Sequence, residues 1–339
     1  MLKPSPLKTG GEAGEKPDDA IVLMLNYNRS SKNTALIPIV GARGSSSKLQ
    51  QNACVASLES SWDDDFKKLV QTFPKEKCWL GFDLYFYQGF WYPTRILKAF
   101  ISFQNHFQAF NSDILVATFP KCGTTWLKAL TFSTLLFSTH VSYTSLPTSI
   151  KDSGCKIVYI CRNPMDMLIS FWQFMTKVQD GESLSLNEAF DKFKHGIIVH
   201  GPFFDHVLGY WKASQENPNK ILFLKYEDLK EDTGSHLKNL AMFLGVPFTD
   251  DEEKQGVIEK IAKICSFENL KELEVNKKGA HISGVPHTGF FRKGEVGDWS
   301  NYLTPFMIEC LEKLIQEKLN GSGLTFKLSS KTSNNIASA

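Results

Sequence analysis

The chain has 339 residues, 42% of them hydrophobic and 12% aromatic, which suits one sizeable packed domain with appendages and excludes wholesale disorder. Its 38 Lys and Arg stand against 36 Asp and Glu for a formal +2, so no global field draws it to nucleic acid or to a membrane. Any bound anion must be held by local charges and backbone groups, and seven widely spaced cysteines with no C-x-x-C pair argue for a reducing, cytoplasmic compartment without disulfides or structural zinc.

Residues 1–65 carry almost no aromatic residues before Phe66, although the chain holds 26 phenylalanines. A stretch this poor in large apolar groups cannot offset its ordering entropy, so it is expected to be a disordered N-terminal extension. The apolar run Ala20–Leu25 follows Asp18 and Asp19, the wrong flank for an export signal, and no run reaches the ~18 apolar residues of a membrane span. The globular domain is expected over residues 66–326, followed by a flexible polar tail over 327–339.

Within it, three apolar runs each lead through a polar turn into a helical pattern. Ile114–Phe119 is followed by Pro120–Thr125 and a helix predicted over Trp126–Phe137. Ile157–Ile160 is followed by Cys161–Pro164 and a helix through Phe174, with Asn163 as cap and Pro164 in the first helical position. Ile221–Leu224 is followed by Lys225–Asp228 and a helix with Leu237, Leu240 and Leu244 on one face, stopped at Gly245. Runs without polar alternation are buried on both faces, and strand–turn–helix repetition indicates a parallel sheet flanked by helices, an α/β fold. Ligands bind such sheets at the carboxyl ends of the strands, where the three turns converge. Further helices are predicted after Ser185, spaced for a capping box with Glu188, and after Thr304-Pro305, closing at Gly321.

The turn Lys121-Cys122-Gly123-Thr124-Thr125-Trp126 is the most specific local signal. A buried strand stops, and a helix begins with free N–H groups at its start, an arrangement suited to an anion. Gly123 lets a phosphate approach the backbone, Thr124 and Thr125 add hydroxyls, and Lys121 adds a charge. The lysine precedes the glycine by two positions, unlike the Gly-Lys-Ser/Thr of a magnesium-dependent P-loop kinase. An ordinary strand–helix turn capped by threonine is the alternative that the turn leaves open by itself.

Thr118–Trp126 resembles the 5′-phosphosulfate loop of the cytosolic sulfotransferases, and further stretches match that family in order. Ile157–Ser170 is similar to its 3′-phosphate strand–helix, Leu222–Asp228 to its nucleotide-lining segment, and Cys265–Phe267 to its adenine-stacking stretch. Phe290–Trp299 is similar to its C-terminal signature loop, and the overall flavour is plant-type. The resemblance implies a P-loop-like three-layer fold and a co-substrate, 3′-phosphoadenosine 5′-phosphosulfate (PAPS), with no metal. It implies that Lys121, Cys122, Gly123, Thr124, Thr125 and Trp126 hold the 5′ end. Arg162, Ser170, Arg292, Lys293 and Gly294 would hold the 3′-phosphate side, with Tyr226 lining the nucleotide and Phe267 stacking on adenine opposite Trp126. The partner it implies is a small, mostly apolar hydroxyl acceptor. The family's dimer motif is broken at Ser300 and Pro305, so a monomer or weak homodimer is expected.

The resemblance further makes His140, in Thr139-His140-Val141-Ser142-Tyr143, the general base, with Lys121 stabilising the leaving group. The other seven histidines offer no comparable context. A segment of a few dozen residues that precedes this histidine in the family is missing here. A helix continuing to Phe137 would carry the chain ~18 Å from the loop at ~1.5 Å per residue, leaving little slack to bring His140 back. Either the last turns unwind into a strand, or the chemistry is not at His140 and the chain is a PAPS-binding paralogue with impaired catalysis.

Overall fold

In a computed structural model, residues 64–131, 136–178, 185–280 and 286–328 are described. The expected N-terminal extension and C-terminal tail therefore lie almost wholly outside the described residues. Strands β1 (Lys75–Lys77), β2 (Asp83–Tyr87) and β3 (Phe90–Pro93) form a small antiparallel sheet, followed directly by helix α1 (Thr94–His106). The chain then runs through β4 (Ile114–Thr118), α2 (Thr124–Leu130), β5 (Leu136–Thr139) and β6 (Lys156–Cys161). Helices α3 (Pro164–Val178), α4 (Leu186–Lys194) and α5 (Phe203–Glu216) precede β7 (Ile221–Lys225), which continues into α6 (Tyr226–Glu231) and α7 (Thr233–Leu244). A last helix spans Pro305–Leu319.

The central sheet has the order β5-β4-β6-β7, with every neighbouring pair parallel. Its two inner strands explain the absence of polar alternation in the sequence. Leu115 and Ala117 of β4 and Ile157, Tyr159 and Cys161 of β6 enter one apolar core, shared with Leu97 and Phe100 of α1 and Phe203 and Val207 of α5. Val116, Val158 and Ile160 enter a second core on the opposite face, with Leu127 of α2 and Leu237 and Leu240 of α7. Each successive residue thus packs against a different helical layer, at about 1.5–3 kcal/mol for each fully buried large aliphatic side chain.

Predicted helix ends are present where local chemistry sets them. Asn163 Oδ1 accepts from Asp166 N at 2.8 Å ahead of α3, Ser185 caps α4, and Gly245 stops α7 at φ 82°. Thr304 caps the last helix, with Pro305 in its first turn.

The helix predicted over Trp126–Phe137 is shorter. It runs from Thr124 to Leu130, and Thr131 Oγ1 donates to Leu127 O at 2.7 Å across its last turn. Leu136–Thr139 then pairs in parallel with β4, from Ile114 against Leu136 to Ala117 against Thr139. Ladder hydrogen bonds and burial of Leu136, Ser138 and Thr139 outweigh the helical spacing of the apolar residues. The chain therefore doubles back, and His140 is the first residue beyond the β4–β5 ladder.

Candidate active site

The strand registers bring four chain exits to one edge of the central sheet: Thr118 leaving β4, His140 leaving β5, Arg162 leaving β6 and Tyr226 leaving β7. The phosphate-type turn joins them. Gly123 has φ 103°, and a β-carbon there would lie 3.0 Å from Tyr226 Cδ2, so both the backbone and its neighbour require glycine. Lys121 is also left-handed, at φ 68°. Its Nζ lies 4.1 Å from the centroid of the Phe174 ring and 5.5 Å from that of Phe290. Burial, and then the positive charges of Arg162, Arg292 and Lys177, pull its pKa down to about 7. Cys122 is fully buried, and burial pushes its thiol up, so its side chain fills the core beneath the turn. Thr124 Oγ1 lies 2.7 Å from Thr118 Oγ1, while Thr125 is exposed at the start of α2.

Arg162 is buried, its guanidinium 4.5 Å from the Tyr226 ring centroid, its Nη2 donating to Glu295 O at 2.5 Å and lying 3.6 Å from Asp166 Oδ2. Asp166 in turn accepts from the backbone N–H groups of Gly297 at 2.8 Å and Trp299 at 3.1 Å. One buried carboxylate thereby pins the C-terminal signature loop to the start of α3. Glu227 Oε1 accepts from Asn163 N at 2.9 Å. Burial raises the Glu227 pKa to about 7, against the opposing pull of hydrogen bonds from the Asn163 and Glu227 backbones. Ser170 is buried in α3, one turn before Phe174 and on the same face.

In the signature loop, Arg292 Nη1 donates to Asp298 Oδ2 and Lys293 Nζ donates to Asp298 Oδ1 at 2.6 Å. Burial favours a protonated Asp298, but hydrogen bonds from Lys293, Arg292 and Asn301 outweigh it and hold the carboxyl at about 2. Gly294 has φ 69°, and a β-carbon would fall 2.6 Å from Phe267 Cδ2, so the ring packs directly on the loop backbone. Gly294 O accepts from Tyr226 OH at 3.2 Å, and Tyr226 meets Trp126 edge-on at 5.4 Å between centroids. Trp126, Tyr226, Gly294 and Phe267 are thus linked in a chain of contacts. Among the described residues, the buried donors Arg162 Nε and Trp126 Nε1 have no hydrogen-bond partner. A buried donor left unmet costs about 1–3 kcal/mol, which a bound anion or base removes. Four cations, two unmet donors and two glycine approaches fit a phosphorylated nucleoside.

His140 is placed beside this constellation. Its Nδ1 lies 2.8 Å from Thr118 O and 3.1 Å from Thr118 Oγ1. A carbonyl oxygen only accepts, so Nδ1 carries the hydrogen and the lone pair of the neutral ring is on Nε2.

Two other histidines, neither marked by its sequence context, belong to this neighbourhood. The His200 ring lies 5.5 Å from the His140 ring, and its backbone N–H donates to Trp91 O at 2.9 Å, tying it to β3. His206 Nε2 lies 3.1 Å from His140 O. Neither relation is local in sequence, which is why the sequence does not reveal them. Asp166 was missed at the sequence level, although its i,i+4 spacing from Arg162 at a helix start is the signal that brings opposite charges together.

Among the described residues no helix is long and apolar enough to cross a membrane, and no group of three His, Cys, Asp or Glu side chains is placed to hold a metal ion. A family model described as a sulfotransferase domain matches residues 132–323. Cytosolic sulfotransferase 15 of Arabidopsis thaliana is 42% identical, over 78% of this chain and 88% of its own length. Cytosolic sulfotransferase 5 of the same plant is 42% identical, over 78% of this chain and 97% of its own length. A mouse sulfotransferase solved in complex with PAP superposes with a TM-score of 0.59 at 29% identity, covering 70% of this chain and 95% of its own.

Proposed function

The chain belongs to the sulfotransferase family, of the plant cytosolic type, and on that premise we propose that it transfers a sulfuryl group from PAPS to a hydroxyl of a small, mostly apolar molecule. The observation that carries this reading is the return of His140 to Thr118, the last residue of the strand that runs into the Lys121 turn. Doubling back at β5 supplies the slack that a continuous helix would have removed.

Lys121, Gly123, Thr124, Thr125 and Trp126 would hold the 5′ end of the nucleotide, with Cys122 supporting the turn from the core. Arg162, Ser170, Arg292, Lys293 and Gly294 would hold the 3′-phosphate, with Tyr226 and Phe267 against the nucleoside. Planar guanidinium groups suit a phosphate because two parallel N–H donors match two oxygens. PAPS, when bound, supplies an activated sulfuryl group on a phosphate leaving group. His140 takes the acceptor's hydroxyl proton at Nε2, while its Nδ1–H stays on Thr118 O and holds the ring's orientation and tautomer. Lys121, whose ammonium form is disfavoured by burial and then by its cationic neighbours, regains its proton beside an anionic phosphate and opposes the charge that gathers on it. The aromatic faces of Phe174 and Phe290 beside Lys121 favour a flat, apolar acceptor.

The test is transfer of labelled sulfate from PAPS to a panel of phenols and alcohols, with and without EDTA. Transfer unaffected by EDTA supports the reading. Tight nucleotide binding without transfer identifies a binding-only member of the family, and activity that requires magnesium and ATP identifies a kinase.

A further inference from the structure

His140 leaves the sheet at the point where backbone pairing ends. Strand β5 is an edge strand, its last paired residue is Thr139, and the carbonyls of His140 and Val141 lie beyond that ladder. Both carbonyls are met by side chains of α5 one turn apart. His206 Nε2 lies 3.1 Å from His140 O, and Tyr210 OH donates to Val141 O at 2.8 Å. Residues four apart share one face of a helix, so α5 presents a pair of donors to this short segment. Both side chains are fully buried.

The polarity of the first contact is fixed by elimination. A carbonyl accepts only, so His206 donates from Nε2, and its Nδ1 is an acceptor. The Tyr159 hydroxyl, 3.0 Å from Nδ1, is therefore the donor there. Tyr159 is held by stacking on Tyr210, with centroids 4.1 Å apart and rings 14° from parallel. A directed chain runs from β6 through α5 to the backbone of His140: Tyr159 O–H to His206 Nδ1, then His206 Nε2–H to His140 O. At the ring, Nδ1–H is held by Thr118 O. His140 is thus fixed at its side chain by β4 and at its backbone by α5.

We propose that His206, oriented by Tyr159, is a positioning residue for the reaction: its Nε2–H holds the His140 carbonyl and so sets where the His140 imidazole stands over the Lys121 turn. The inference rests on the reading of His140 as the base. His206 is not among the residues assigned to the nucleotide. Its ring meets Phe119 edge-on at 5.3 Å between centroids, a contact that phenylalanine at this position keeps, so loss of the Nε2–H donor alone acts on turnover and not on nucleotide binding.

The experiment compares His206→Phe, which keeps a flat apolar ring without the donor, with His206→Gln, whose amide N–H reaches the place of Nε2–H. With PAPS and the phenol and alcohol panel, His206→Phe lowers kcat on the order of 100-fold, the scale of a small misplacement of a catalytic group. The PAP dissociation constant stays at the wild-type value, and His206→Gln recovers most of the loss. The same bond is read without turnover by ¹⁵N spectra of the free protein: His140 shows the Nδ1–H tautomer in wild type and in His206→Gln, and a tautomer mixture in His206→Phe. Unchanged kcat and an unchanged His140 spectrum in His206→Phe overturn the proposal, as does a loss that Gln does not relieve or that PAP affinity follows. If His206→Phe does not fold, Tyr159→Phe decides: a fall in kcat at constant PAP affinity supports the chain of bonds, and wild-type kcat with a wild-type His140 spectrum overturns it. His140→Ala separates the two levels. If it retains turnover, the base assignment fails; if it is inactive while His206→Phe is unimpaired, only the positioning role fails.

Discussion

His140 Nδ1 lies 2.8 Å from the carbonyl oxygen of Thr118, a residue 22 positions earlier in the chain. That contact fixes the tautomer and places the basic nitrogen at the exit of the strand leading to Lys121. Replacement of His140 by alanine is expected to lower turnover by about 10²–10⁴-fold, the usual contribution of a positioned base. The PAP dissociation constant, measured by calorimetry, should stay unchanged, because no nucleotide contact assigned above involves the imidazole. Turnover equal to wild type would remove His140 from the chemistry.

Lys121 offers a pH-dependent signature. With its pKa lowered to about 7, the free protein carries it largely neutral at pH 8. An anionic nucleotide raises that pKa, so binding at pH 8 takes up protons, and affinity falls as pH rises above about 7. PAP titrations in two buffers of different ionisation enthalpy should show net uptake, and Lys121→Met should abolish most of it. Uptake of the same size in the variant would assign the proton elsewhere.

Gly294 and Gly245 both have positive φ, 69° and 82°, but only Gly294 faces a neighbouring ring, with Phe267 Cδ2 2.6 Å from where a β-carbon would stand. Alanine at either position costs about 1–2 kcal/mol in backbone strain. Gly294→Ala should in addition displace Phe267 and weaken PAP binding about tenfold or more, which corresponds to about 1.4 kcal/mol. Gly245→Ala should leave PAP affinity at the wild-type value. Equal affinities in the two variants would show that Phe267 does not contribute to the nucleotide site.

Glu227 connects the site to stability. Its folded pKa of about 7 exceeds its ordinary value of 4.5, so the stability it contributes is present below pH 4.5, declines as pH rises toward 7, and is lost above that. Glu227→Gln keeps an acceptor for Asn163 N and removes the buried ionisation. The variant should match wild type near pH 4.5 and exceed it at pH 8 by up to about 3 kcal/mol, at about 1.36 kcal/mol per unit. Denaturant midpoints that differ equally at both pH values would contradict this account.

The parts of the fold carried by local chemistry were legible in the sequence. The doubly buried runs of β4 and β6, the apolar run of β7, the Asn163-Pro164 start of α3 and the Gly245 stop each depend on a few neighbouring residues. Strand β5 was legible only as one of two alternatives, because Leu136–Thr139 becomes a strand only by pairing with β4, and its apolar spacing also suits a helix end. The site divides in the same way. Lys121 to Trp126 and the Arg162 turn stand as contiguous stretches, whereas His200 reaches His140 through its tie to β3, and His206 reaches it from α5. Asp298 was the missed member of a legible loop, since its role appears only once Arg292 and Lys293 fold back onto it.

The central claim is that the Lys121 turn and the guanidinium groups of Arg162 and Arg292 form one cradle for a doubly phosphorylated adenosine. Calorimetric titration of PAP into wild type and Arg292→Ala tests it most directly. The account predicts saturable one-site binding to wild type, weakened in the variant by about 1.5–3 kcal/mol, as expected for the loss of a charged hydrogen bond. No heat and no thermal protection of the wild-type protein by PAP, or equal affinity in the two proteins, would contradict it.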